Sequence, residues 1–110
     1  MAKFQFGFYI PKSHIEEVKT AIFDAGAGKI GNYSNCCWQT LGQGQFLPGI
    51  NSNPSLGSAG ELTTVDEYLV ILVCDRDIIR DVIDAFLQSH PYEEPAYFIS
   101  HILSKEDFHK

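Results

Sequence analysis

The sequence predicts an α+β fold in which two helices cover one face of an antiparallel sheet, in the order strand, helix, strand, strand, helix, strand. Three observations carry the prediction. Phe4, Phe6, Phe8 and Ile10 alternate with Gln5, Gly7 and Tyr9, the period of a strand with one buried face. Two segments repeat apolar residues at helical spacing, Ile15-Val18-Ile22-Ala25 and Ile78-Ile79-Val82-Ile83-Phe86-Leu87. Between them Tyr68 to Val73 is continuously apolar, as expected of a strand at the centre of a sheet covered on one face and partly on the other.

In chain order, Pro11 ends the first strand because it fixes φ and cannot donate to a ladder. Ser13 and Glu16 have the spacing of a capping box for the first helix, and Gly26 is placed as its left-handed stop. Residues 26–60 change texture: they hold eight of the nine glycines, and Lys29 is their one charged residue. With Tyr33, Trp38, Phe46, Leu47 and Ile50 the segment is too aromatic and too neutral for a flexible linker. It is expected to pack on its own sheet or on another subunit. Ser34 to Leu41 reads as a strand and Gln43 to Leu47 as its hairpin return, with Gly42 and Gly44 shaping the turn and 48–60 an excursion of turns. Thr63 to Cys74 is the central strand, Asp75 a candidate cap for the second helix, Ala96 to Leu103 the last strand, and 104–110 a polar tail expected to fray. This is the ferredoxin-like βαββαβ sandwich with an extra hairpin and loop in 34–60, a single domain over residues 1–110. Right-handed crossovers bring its two halves together.

Composition excludes several function classes. The net charge is −6, whereas a nucleic-acid partner requires a basic face. No apolar run approaches the roughly 18–20 residues of a membrane span, and Met1 to Phe4 lacks the apolar core of a signal peptide. The three cysteines, two of them adjacent, do not form a disulfide framework, so a cytoplasmic, reduced protein is expected.

Between the second helix and the last strand lies His90-Pro91-Tyr92-Glu93-Glu94-Pro95-Ala96-Tyr97, an imidazole, two carboxylates and two phenols on a stiff double-proline connection. Together with Gly26-Ala27-Gly28-Lys29-Ile30-Gly31-Asn32-Tyr33, Cys36, Gly42-Gln43-Gly44-Gln45-Phe46-Leu47-Pro48, Gly57, Gly60 and Glu61, it resembles one family. That family is the CutA-like domain inserted in the Nif-three-like dinuclear-metal proteins and also found alone. The resemblance spans nearly the whole chain. It implies a stand-alone domain related to CutA and to the PII signal proteins, folds that commonly form trimers. It does not imply the chemistry of the larger proteins, whose metal site belongs to flanking domains. Cys37 and Trp38 stand where a serine and a bulky apolar residue are expected after Cys36, and Phe98 stands where an acid is expected after Tyr97. A family site that used that acid would be weakened here.

The functional candidates follow from chemistry. His90 with Glu93 or Glu94 offers imidazole and carboxylate to a divalent metal ion, with Cys36 or a residue of a neighbouring subunit needed to complete about four ligands. Equally, His90 and Glu93 can hydrogen-bond backbone and fix the start of the last strand. Gly28, Gly31, Asn32 and Tyr33, with Tyr92 and Tyr97, are candidate ligand-binding residues of a subunit cleft. The glycine turn fails the dinucleotide fingerprint in spacing and context, though its N–H groups can face an anion. Cys36 and Cys37, if on a strand, point to opposite faces and do not ligate one ion together, one thiol being buried and one exposed. Cys74 reads as core, and His14, His101 and His109 as surface or part-exposed residues. No nucleophile, base and orienting acid come together. The expected function is a non-catalytic homo-oligomer, a trimer in preference to a dimer, binding a small ligand or a divalent metal at inter-subunit clefts in a regulatory role. The alternatives are a metal-dependent, hydrolase-like enzyme using His90 and Glu93, and a protein–protein interaction module.

Overall fold

A computed structural model describes residues 3–108. Six main elements follow in order: β1 (Lys3–Pro11), α1 (Ile15–Asp24), β2 (Trp38–Phe46), β3 (Thr63–Asp75), α2 (Ile79–Ser89) and β4 (Tyr97–Ile102). All pairings are antiparallel and the sheet order is β2-β3-β1-β4. This is the ferredoxin-like arrangement, with β3 and β1 central.

Strand alternation decides the two faces. Phe6, Phe8 and Ile10 of β1 and Val70, Leu72 and Cys74 of β3 point to one side, where they meet Ile15, Val18 and Ile22 of α1 and Val82 and Phe86 of α2. Phe86 is the hub, with its ring 5.0 Å from Phe8, 5.3 Å from Tyr97 and edge-on to Phe6 at 5.4 Å. The other face carries Gln5, Gly7 and Tyr9 from β1 and Glu67, Leu69, Ile71 and Val73 from β3, and among the described residues no helix covers it.

The end of α1 forms as expected. Gly26 takes φ +106°, its N–H donates to the Phe23 carbonyl and that of Ala27 to the Ile22 carbonyl, which is the Schellman pair. Other local expectations are corrected. Residues 34–47 do not form a hairpin. Trp38–Phe46 is one strand, paired throughout with β3, so Gly42 and Gly44 lie inside it opposite Glu67 and Val65. A local hairpin competes with nine ladder positions on an apolar neighbour, and the ladder prevails. Cys36 and Cys37 precede that strand; one thiol is half-buried and the other exposed. Neither expected helix cap forms. The Ser13 hydroxyl bonds the His14 ring at 2.8 Å, and Asp75 pairs with Lys3 at 3.1 Å, because a 3-10 turn precedes each helix and displaces its start. Leu87, placed on the buried stripe, is 44% exposed because α2 turns it past the edge of α1 and the sheet. The tail keeps order through Lys105–Asp107, where Ser104 and Asp107 form a capping box, while His109 lies outside the described residues. Among the described residues no helix is long and apolar enough to cross a membrane.

Candidate functional site

The octapeptide begins where α2 ends. The His90 N–H closes the last helical bond to the Phe86 carbonyl at 3.0 Å, and Pro91 then holds His90 extended at φ −74°, ψ 137°. That geometry turns the imidazole inward, 7% exposed, with its ring centroid 5.1 Å from Phe86 and 4.9 Å from Tyr92. The backbone N–H of Tyr92 lies 3.1 Å from Nδ1, and the Tyr9 carbonyl oxygen lies 2.7 Å from Nε2. An amide N–H only donates and a carbonyl only accepts, so Nδ1 carries the lone pair and Nε2 the proton. Burial pushes the His90 pKa down and nearby His14 adds to this, against the bond to Tyr9, so the ring is held neutral.

Beyond His90 a cavity of about 320 Å³ opens between the motif and the 47–56 loop. Tyr9, Phe46 and Glu67 come from the open sheet face, Leu47 and Pro54 from the loop, and Tyr92, Glu93 and Glu94 from the motif. Glu93 Oε1 accepts from the Asn53 N–H at 3.2 Å and so ties the loop to the motif. The Tyr92 and Phe46 rings stand 6.1 Å apart. The Tyr92 hydroxyl is sequestered from solvent and has no hydrogen-bond partner among the described residues. The Glu67 side chain runs over Gly44, in the space a Cβ at that position would take. Burial pushes the Glu67 carboxyl up, and burial together with Glu67 pushes the Tyr92 phenol up.

The glycine turn lies elsewhere. Ile30 and Tyr33 exchange backbone bonds at 3.0 and 2.9 Å around Gly31 and Asn32. Gly28 stitches this loop to the sheet, its N–H donating to the Val73 carbonyl and its carbonyl accepting from Cys36 N–H, both at 2.8 Å. Its φ is +79°, and a Cβ would lie 2.9 Å from the Cys36 carbonyl oxygen, so glycine is required. Four of the turn's N–H groups, those of Gly28, Ile30, Tyr33 and Cys36, are thus spent on backbone rather than offered to an anion. Val73 and Glu67 are separated by about 20 Å along β3, at roughly 3.3 Å per residue. One subunit therefore does not bring Gly28, Gly31, Asn32 and Tyr33 together with Tyr92. Tyr97 turns to the helix side, against Phe6 and Phe86.

Within one subunit the expected metal set does not gather. Both His90 nitrogens are committed to backbone, Cys36 Sγ sits by the Ser34 carbonyl on the glycine-turn side, and among the described residues no three His, Cys, Asp or Glu side chains gather to hold an ion. Glu67, Tyr9 and Phe46 were not singled out from sequence. The available signal was slight: Glu67 is the last acid before the apolar run Tyr68 to Val73, and only the register brings it beside Gly42 and Gly44.

No protein-family model matches the chain. It is 43% identical over 91 residues to the GTP cyclohydrolase 1 type 2 homolog of Mycobacterium tuberculosis, and 43% identical over 91 residues to that of Bacillus subtilis. Each match covers 83% of this chain and 24% of the relative, so the chain spans about a quarter of the length of these curated relatives. Its structure resembles a Bacillus cereus protein related to NIF3, with TM-score 0.77 and 36% identity, over 92% of this chain and 26% of that one. It also resembles the divalent ion tolerance protein CutA1 from Ehrlichia chaffeensis (TM-score 0.65, 13% identity, 96% of this chain and 85% of that one). Bacillus subtilis GlnK is similar too, at TM-score 0.61 and 12% identity, over 93% of this chain and 86% of that one. At such identities the last two show the fold alone. The chain therefore has the fold of CutA1 and GlnK and is similar in sequence to a quarter-length segment of the GTP cyclohydrolase 1 type 2 homologs and of the NIF3-related protein.

Proposed function

We propose that this domain is a non-catalytic, homo-oligomeric regulatory module, a trimer, which assembles through the open face of its sheet and binds a small ligand in the cavity beside His90–Tyr97. One observation carries the assembly. Trp38, Ile71, Gly7 and Phe98 stand in register across all four strands on the face that no helix covers. Trp38 is 60% exposed and Phe98 38%, and the Phe98 ring lies over the bare backbone of Gly7. A continuous apolar row of this kind is what a subunit interface buries. The exposed Ile30, Tyr33, Leu47 and Ile50 of the charge-poor middle segment support the same reading.

The hydrolase alternative draws less support. It needs a free nitrogen on His90 as ligand or base, and both nitrogens of that ring are bonded to backbone. The three free thiols fit a reducing, cytoplasmic compartment.

Sedimentation velocity and native mass spectrometry at micromolar concentration test the proposal. A trimer is expected, with Trp38→Glu sedimenting as a monomer of unchanged circular dichroism. A wild-type chain that is monomeric under these conditions overturns it.

A further inference from the structure

The cavity beside the motif has a definite chemical character. Its walls are apolar and aromatic, from Phe46, Leu47, Pro54 and the rings of Tyr9 and Tyr92. Its polar groups include three carboxylates, Glu67, Glu93 and Glu94, and behind its wall the Tyr92 hydroxyl is shielded from solvent and lacks a partner among the described residues. Among the described residues no lysine, arginine or histidine lines it. At about 320 Å³ it lies at the low end of the roughly 300–1,000 Å³ that small-molecule sites occupy.

We propose that this cavity binds a small amphipathic cation, an organic ammonium or guanidinium group on an apolar body, with Glu67 and Tyr92 receiving the charged head. The proposal rests on the ligand-binding half of the function proposed above and names its ligand class. Glu93 is the least available of the carboxylates, since one of its oxygens already holds the Asn53 N–H at 3.2 Å. Glu67 has no such bond among the described residues, and its side chain lies over Gly44 in space that any other residue's Cβ would take. A half-buried carboxylate beside a shielded phenol is costly to keep without a partner, and a cation bearing N–H donors satisfies both. The aromatic rings add the quadrupole attraction that draws cations to their faces. A phosphate or carboxylate ligand would meet three like charges and no base.

The probes are 2-phenylethylamine, its isosteric acid 3-phenylpropionate, and neutral 2-phenylethanol, titrated calorimetrically into the full chain at pH 7.5 and low salt. The amine is expected to bind at least tenfold more tightly than either isostere. Glu67→Gln should weaken it about tenfold, the loss of one charge-assisted bond. Tyr92→Phe should weaken it severalfold while leaving thermal stability unchanged or raised, because an unpartnered buried hydroxyl is removed. Binding that is equal for the three probes, or unaffected by Glu67→Gln, overturns the cation assignment and leaves a ligand site standing. Should none of the three bind while the chain still oligomerises, both the cation assignment and the ligand-binding half of the proposed function fail, and assembly alone survives.

Discussion

The His90 ring joins two backbone groups far apart in sequence, the Tyr9 carbonyl on β1 and the Tyr92 amide in the turn. His90→Ala leaves both without partners inside the protein and is expected to cost about 2–4 kcal/mol by urea denaturation. Its titration adds a pH dependence of definite sign. The unfolded histidine titrates near about 6.5, and the folded ring below that because it is buried. Above the unfolded value both states are neutral and the full stability is present. As pH falls the unfolded chain takes up the proton first, and stability is lost as pH falls through the folded pKa. The melting temperature should therefore drop between pH 7 and 5, and more steeply in wild type than in His90→Gln. The thiols differ in the same residue-level way. Burial, reinforced by Asp75, pushes Cys74 up to about 11, whereas Cys37 is exposed. A disulfide reagent at pH 8 should label Cys37 rapidly and Cys74 only after unfolding.

At the scale of elements, the 26–37 connection is held by few bonds, and Gly28 makes two of them. Gly28→Ala combines a left-handed backbone with a close approach to the Cys36 carbonyl, and is expected to destabilise by roughly 1–3 kcal/mol, read as a lowered urea midpoint. Helix α2 depends on one residue more than any other. Phe86 touches both central-strand phenylalanines it faces, Tyr97 and His90, so Phe86→Ala should cost about 3–5 kcal/mol. These elements were largely legible because each follows a local rule: alternation for β1, a 3.6-residue stripe for α1 and α2, a left-handed glycine after α1. The supposed hairpin of 34–47 was not legible. Gly42 and Gly44 look like turn residues alone, and what makes them strand residues is an apolar partner strand some twenty positions later.

For the whole molecule, the sheet is a two-sided object with a cover on one side. Two of the three residues that depart from the pattern expected of the resemblance, Trp38 and Phe98, stand in one cross-sheet row on the uncovered side. Phe98→Asp puts a charge into that row and should weaken self-association at least tenfold, about 1.4 kcal/mol, measured by sedimentation equilibrium. The helix-side core does not include Phe98, so the monomer's unfolding midpoint should change little by comparison.

The sequence by itself determined both helices, the strands other than β2, the antiparallel α+β architecture and the family resemblance, because period, the glycine stop after α1 and motif strings are written within short windows of chain. Only the tertiary structure decided the site. It moved the glycine turn to the far end of β3, spent both His90 nitrogens on backbone, and brought Glu67 and Phe46 beside Tyr92. With Tyr9, those neighbours come from four segments of chain, and their meeting depends on ladder register and on which face each side chain takes, which local periodicity does not encode.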